Sequence, residues 1–176
     1  MAAVSKAAGE EQMSNAGYLV TVPDEESSCD ESYLAPSAFC DSDHPLIRAI
    51  ALELTKDCTS DAERVAVLSN WVRNRIGYRI PPYPQAASDT LSSKAGSCSN
   101  RANLLVALLR ALNIPSGFHL LKVEAKDCFG RLASPVFHPF PDGSSHVFCS
   151  VQLGNKWVRC DPSKWHMTME NVLGEA

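Results

Sequence analysis

The sequence predicts one α+β domain, in which helices come first and a largely antiparallel sheet follows. The chain has 176 residues, a length that suits a single domain. Apolar residues recur at helical spacing up to about residue 115, whereas short alternating segments with turn residues follow from residue 118. Hydrophobic residues make up 45% and charged residues 20%, which excludes a wholly disordered chain, collagen and a coiled coil.

An acidic segment precedes these helices. Residues 1–32 contain seven acidic residues and one lysine, net −6, and the other 144 residues are near +2 with 15 basic and 13 acidic residues. With few large apolar side chains, the segment is expected to stay mobile or to pack only loosely. The folded domain is therefore expected to span residues 33–176.

The first two predicted helices are marked by their caps. Pro45 suits the first position of a helix, with His44 as its cap. Residues 60–63 form a capping-box pattern, and apolar residues then recur every three or four positions until Gly77. Residues 78–97 contain a Pro-Pro-Tyr-Pro run and are expected to be mostly loop.

The third predicted helix is apolar nearly all round, as a central helix covered on most sides would be. It opens near Cys98 and is closed by Asn113, which tolerates the left-handed conformation. The strands are expected after it, at residues 118–125, 131–136, 146–153 and 156–161.

Charge and hydropathy exclude two kinds of partner. The longest uncharged apolar run, residues 102–109, is too short to cross a bilayer, so no membrane partner is expected. The formal charge of −4 includes no Lys/Arg stripe, so no nucleic-acid partner is expected either.

The cysteines indicate a reducing compartment. There are seven, an odd number, and no CxxC pair occurs. The N-terminal residues contain no apolar run typical of a signal peptide. We therefore interpret the cysteines as thiols and expect a cytoplasmic protein.

Cys98 stands out because it follows Gly96-Ser97 at the start of a buried helix. Unpaired N–H groups and the positive end of the helix dipole favour the thiolate, which is the nucleophilic form. The same N–H groups suit an oxyanion, and Gly96 leaves room for a substrate. A small buried thiol at a helix start is the equally weighted alternative.

A predicted hairpin brings His146 and Asp161 together. A Gly-Asn turn after Leu153 gives a register in which the numbers of facing residues sum to 309. His146 and Asp161 are then diagonal neighbours on one face, within side-chain reach. On the other face Cys149 and Cys160 stand opposite each other, interpreted as reduced core residues rather than a disulfide.

Three separated segments resemble the transglutaminase-like superfamily. Gly96-Ser-Cys98-Ser-Asn-Arg-Ala and the apolar run after it resemble the nucleophile helix, and residues 146–163 resemble the segment with the His and Asp. The lead-in, with Tyr33-Leu-Ala-Pro-Ser and residues 71–78, fits as well. The resemblance spans about residues 33 to 163 and implies a papain-like α+β fold.

The resemblance also implies a chemistry and its residues. Cys98 is the implied nucleophile, His146 the general base and then acid, and Asp161 the orienting carboxylate. The thiol would form a thioester with a peptide, a protein or a small activated acyl substrate, and so form or cleave an amide. The implied partners are this acyl donor, which a polypeptide or a carrier protein can bear, and an amine or water acceptor, with no cofactor and no metal. This chain departs from many members at Phe148, where they carry Trp, and at Ser150, where an acidic residue is frequent.

Further residues are weaker candidates for the oxyanion site or the substrate pocket. Loop packing is the simpler explanation for Gln85, Tyr78 and Tyr83. Phe148 and Trp157 share the face of the hairpin that carries His146. Residues 137–143 are a candidate substrate rim, with an ordinary connector as the alternative.

Other functions stay open at this point. The alternatives are a cysteine peptidase-type hydrolase and a non-catalytic interaction module of the same fold. A zinc site at His119, Cys128 and His138 is disfavoured, because their spacing fits no familiar pattern.

Overall fold

The computed structural model describes residues 19–21, 31–81, 83–123 and 144–163. The strand expected at residues 131–136 and the candidate rim at residues 137–143 lie outside these ranges. Within the described ranges, no helix is long and apolar enough to cross a membrane.

The first two helices begin where their caps predicted. Helix α1 spans Pro45–Leu54 and helix α2 spans Asp61–Arg75. His44 Nδ1 accepts a hydrogen bond from the N–H two residues on, at 3.2 Å. Ser60 Oγ likewise accepts from the N–H of Glu63 at 3.2 Å. These bonds satisfy donors that the first turn of a helix leaves without an internal partner.

The expectation that residues 78–97 are mostly loop is wrong for residues 87–93, which form helix α3 (Ala87–Ser93). Five of its seven residues are Ser, Thr or Asp, which are weak helix formers, so propensity alone does not indicate it. The carboxylate of Asp89 accepts from the N–H of Ala86 at 3.1 Å, and Lys94, with φ of 52°, ends the helix in the left-handed conformation. Packing on the next helix supplies what the local sequence lacks.

Two short parallel strands lead into the central helix. Strand β2 (Gly77–Tyr78) pairs with β3 (Ala95–Gly96). The N–H of Arg79 extends the pairing with a bond to the carbonyl of Gly96 at 3.1 Å. The end of α2 is thereby tied to the residues just before the central helix.

The central helix, α4, spans Cys98–Ala111 and is buried on nearly all sides, as predicted. All three other helices and the sheet pack against it. Asn113 follows it with φ of 59°, the left-handed conformation expected of the residue that closes the helix. The fully buried large side chains of α4 are Leu104, Leu105, Val106, Leu108 and Leu109.

The strands of the larger sheet are β1 (Leu19–Thr21), β4 (Ser116–Val123), β5 (Ser144–Leu153) and β6 (Lys156–Cys160). The sheet is antiparallel and has the strand order β1-β6-β5-β4. The Gly-Asn turn and its predicted register are confirmed, since Cys149 pairs with Cys160 and Leu153 with Lys156. Gly154 has φ of 61°, a conformation that favours glycine.

Strand β1 comes from the acidic N-terminal segment and pairs with β6, Val20 facing Arg159. It is the part of residues 1–30 that the structure describes. The division of the chain at residue 33 stays a prediction.

The two facing cysteines of the hairpin are free thiols in the core, as interpreted from the sequence. Cys149 Sγ lies 3.4 Å from the carbonyl of Ala102 on α4, and Cys160 Sγ lies 3.1 Å from Ser69 Oγ on α2. This face of the sheet therefore packs on the helices, and the opposite face carries His146.

Candidate active site

Cys98 is the first residue of α4, and the turn before it is rigidly held. Ser97 caps the helix, and Asn100 Oδ1 accepts from the N–H of Ser97 at 3.0 Å. A Cβ atom at Gly96 would lie 2.6 Å from the Cβ of Asn100, closer than two such atoms approach. Glycine at position 96 thus allows the capping residues to close over the helix start and sets the position of the thiol.

His146 and Asp161 meet across the hairpin. His146 Nε2 lies 2.7 Å from Asp161 Oδ2, and both side chains are buried. Asp161 Oδ1 also accepts from the N–H of Ser163 at 2.8 Å. With Nε2 turned to the carboxylate, the other ring nitrogen, Nδ1, is available to the thiol.

Cys98 lies against the hairpin where the pairing of β6 stops. The imidazole of His146 and the backbone N–H groups of Val147 and Ser99 lie close enough to the Cys98 sulfur to lower the pKa of the thiol, and Cys98 in turn raises the pKa of His146. The last residue of β5 paired with β6 is Cys149, and Val147 lies two residues beyond it. The structure thus brings Cys98, His146 and Asp161 into one chain of contacts.

The electrostatics of this chain of contacts favour separated charges. Burial raises the pKa of Cys98, but the hydrogen bond and charge of His146 and the N–H groups of Val147 and Ser99 outweigh burial and lower it. The bonds to Asp161 and Cys98 raise the pKa of His146 to about 9. Both shifts favour a thiolate beside an imidazolium, the pair that nucleophilic acyl chemistry uses.

Two arginines that the sequence analysis did not single out support the site. Arg101, one turn after Cys98 on α4, is 3% exposed and donates to the carbonyls of Arg73 and Ile76 at the end of α2. Burial lowers the pKa of Arg101, and the charge of Asp161 opposes that shift. Arg73 in turn donates to the backbone carbonyl of Asp161. The signal for Arg101 was a charged residue one turn after Cys98, followed directly by the apolar part of the helix.

Two of the weaker candidates lie close to the site. The Phe148 ring stacks on His146 with 6.0 Å between centroids. Tyr78 pairs with Gly96 in the small sheet and interacts electrostatically with Arg101. These two residues border the space around Cys98.

The other weaker candidates are not brought to Cys98 by any contact among the described residues. Tyr83 is 62% exposed. Trp157 packs on Tyr33, 4.8 Å between ring centroids, near the hairpin turn. Gln85 is buried, and its Oε1 has no hydrogen-bond partner.

The zinc alternative rests on residues that the structure describes only in part. Cys128 and His138 fall outside the described ranges. Within those ranges, no group of three or more His, Cys, Asp or Glu side chains is placed to hold a metal ion.

Comparisons with solved structures agree with this fold. A protein of Cytophaga hutchinsonii, described as a candidate cysteine protease, aligns with a TM-score of 0.61 and 25% identity over 82% of this chain. The periplasmic domain of TgpA from Pseudomonas aeruginosa, bound to ethylmercury, aligns over 80% of this chain with a TM-score of 0.51 and 18% identity, which shows a shared fold. This chain spans about half of each, 46% and 48% respectively. No curated protein matches the sequence significantly.

The sequence also matches a family. Residues 48–162 match the Transglutaminase-like superfamily, and this range includes Cys98, His146 and Asp161. The match and the Cytophaga structure together support a thiol-dependent enzyme of the hydrolase or transferase kind. The chain belongs to the Transglutaminase-like superfamily.

Proposed function

We propose that this protein is a cysteine-dependent acyltransferase or amidohydrolase that forms a thioester on Cys98 and so makes or cleaves an amide. The observation that supports it is the chain of contacts from Cys98 through His146 to Asp161, with the pKa of the thiol lowered and that of the imidazole raised. A buried structural thiol shows the opposite shift, as Cys40 does with a pKa raised to about 11 by burial.

In the first step, the thiolate of Cys98 forms a bond to the carbonyl carbon of the substrate. The bond from that carbon to the leaving group breaks, and the leaving group takes the proton of the His146 imidazolium. The backbone N–H of Cys98, one of the first-turn donors of α4, is suited to the oxyanion that forms on the way. Asp161 holds the imidazole with Nδ1 towards the sulfur.

In the second step, water or an amine attacks the thioester and gives its proton to neutral His146. The carbon–sulfur bond breaks, and the thiolate–imidazolium pair is restored. Access of water to the thioester decides between hydrolysis and transfer. The acyl donor is proposed to be a polypeptide or an acyl group on a carrier protein.

Peptidase-type hydrolysis is the second candidate, favoured by the description of the Cytophaga structure as a candidate cysteine protease. Both candidates share the first step and differ in the acceptor. The five free cysteines of the described residues support a reducing compartment, and we propose the cytoplasm as that compartment.

The test is selective labelling followed by trapping. Under mildly acidic conditions, iodoacetamide should alkylate Cys98 first, and peptide mass analysis locates the adduct. Cys58, a partly exposed free thiol, is the internal control. A His146→Gln variant should lose the preference. If Cys98 reacts no faster than Cys58, the protein is not a thiol enzyme. The alternative of a non-catalytic interaction module is then favoured.

The acceptor is identified by a second measurement. Wild-type protein is incubated with peptide amides and with small thioesters, and intact mass reports an acyl adduct that is absent from Cys98→Ala. A labelled primary amine is then added. Amine in the product indicates transfer, whereas free acid alone indicates hydrolysis.

A further inference from the structure

On the sheet face that carries His146, three polar side chains each have one buried atom without a hydrogen-bond partner. Ser150 is 5% exposed and its Oγ makes no hydrogen bond. Arg159 stands directly opposite it on β6, and its buried Nε likewise has no acceptor. Gln152, the next residue of β5 on this face, has a buried Oε1 without a donor. Buried polar groups are paired in the great majority of cases, so this cluster needs an explanation.

An aromatic strip joins this cluster to the candidate active site. Phe148 stacks on His146 on one side and on His119, at 5.3 Å between centroids, on the other. Burial and the charge of Arg159 lower the pKa of His119. His119 stands opposite Phe148, one residue row from His146 on this face, and Arg159 stands opposite Ser150, one row further.

No anion on the protein neutralises Arg159 among the described residues. The carboxylate on the same face, Asp161, is bonded to His146 and to the N–H of Ser163. None of the ion pairs in the described ranges includes Arg159. A half-buried guanidinium without a counter-charge, beside a hydroxyl without a partner, is suited to a carboxylate, which accepts from both.

The fold also limits the direction from which a ligand arrives. Tyr33 packs on Trp157, and its ring lies 3.0 Å from where a Cβ of Gly117 would be. Gly117 is the residue of β4 opposite Ser150. Tyr33 thus covers the row of Ser150 as well as Trp157 near the hairpin turn, which leaves the end towards Phe148 and His146 as the approach.

We propose that Arg159, Ser150 and His119 bind a carboxylate of the substrate while its reacting carbonyl lies at Cys98. The protein then selects anionic substrates: peptides with an acidic side chain, or with a chain terminus, a short distance from the reacting bond. This inference rests on the proposed function for the reaction at Cys98, but the carboxylate site itself is defined by residues that the reaction does not use.

The test uses a series of N-iodoacetyl amino acids, with one to five methylenes between the amide and the carboxylate, and the matching neutral amides. The rate of Cys98 alkylation is measured for each acid and each amide. In the wild type we expect the acid-to-amide rate ratio to peak at one spacer length. In Arg159→Gln the ratio at that length should fall about tenfold, which corresponds to the loss of one charged hydrogen bond. Arg159→Lys should restore part of the ratio, and Arg75→Gln, an exposed arginine on α2, should leave it unchanged.

Equal ratios in wild type and Arg159→Gln at every spacer length overturn the proposal. If Cys98 fails to react even with the neutral amides, the proposed function fails instead. The carboxylate site is then measured in Cys98→Ala by the calorimetric binding of the unreactive N-acetyl analogues. If the N-acetyl acids bind equally well to Cys98→Ala and to the double variant with Arg159→Gln, the carboxylate proposal is also overturned. Iodoacetyl dipeptides distinguish an acidic side chain from a chain terminus as the source of the carboxylate. Asp is compared with Asn for the side chain, and a free C-terminus is compared with an amidated one for the terminus.

Discussion

His146 Nε2 and Asp161 Oδ2 lie 2.7 Å apart although neither residue is paired with the other in the sheet. Their contact is diagonal, across the point where the ladder between β5 and β6 ends. The carboxylate occupies Nε2, which leaves Nδ1 of the ring available to the thiol of Cys98. This relationship leads to the first two predictions.

Asp161→Asn should keep the fold but lower the pKa of His146, because the bond to Asp161 is the main cause of its rise to about 9. Amide hydrolysis or transfer should fall by about 10²-fold or more, the usual size of a general acid–base contribution. NMR titration of His146 checks the pKa, and turnover of the substrate that the trapping experiment identifies checks the rate. Unchanged turnover in a variant with the lowered pKa removes Asp161 from the mechanism.

The pH dependence should differ between alkylation and acyl transfer. Alkylation by a neutral reagent needs the thiolate, so its rate should rise as pH passes the lowered pKa of Cys98 and then stay level. Acyl transfer also needs the imidazolium as acid, so it should rise over the same range and fall again through about 9, the pKa of His146. In His146→Gln the alkylation midpoint should move up to the ordinary thiol range. A transfer rate that stays level above that pKa contradicts the role of His146 as acid.

Gly96→Ala should disturb the start of α4. The added Cβ would lie 2.6 Å from Asn100 Cβ and 3.2 Å from Thr90 Cγ2, so Asn100 must move and the cap on α4 must open. We expect a loss of about 1–3 kcal/mol in the free energy of unfolding, with slower alkylation of Cys98. Gly77→Ala is the matched control, since its new Cβ meets the nearest atom at an ordinary 3.6 Å. Urea denaturation of both variants decides, and equal stability argues against the tight approach at position 96.

Arg101→Met should weaken both the fold and the nucleophile. The guanidinium donates to two carbonyls at the end of α2, and each buried group left unpaired costs about 1–3 kcal/mol. The loss of a positive charge near Cys98 should also raise the pKa of the thiol, measured by the pH dependence of alkylation. Arg48→Met, at an exposed position of α1, is the control and should change neither. A destabilised variant with an unchanged thiol pKa limits Arg101 to a structural role.

The hairpin and its site residues could be predicted because their placement depends on local rules. A Gly-Asn turn sets the register of its two strands, and the register alone puts His146 near Asp161. Cys98 was predictable for a similar reason, because a glycine, a capping serine and an apolar helix follow one another directly in the chain.

The missed features depend on packing between distant segments. Helix α3 is held by contacts with α4 that its Ser- and Thr-rich sequence does not indicate. The partners of Arg101 are carbonyls of α2, and which carbonyls it meets is decided by how two helices cross. Leu19–Thr21 pairs with β6, but its sequence has no alternation of apolar and polar residues that would predict a strand.

The separation of the thiol from its hairpin has a consequence for the newly made chain. His146 and Asp161 belong to one hairpin, whereas Cys98 reaches them only where α4 packs on the sheet. In a chain in which α4 is not packed there, the thiol has neither the imidazole nor the N–H of Val147 and behaves as an ordinary cysteine. The reactivity of Cys98 therefore reports the packing of α4 on the sheet.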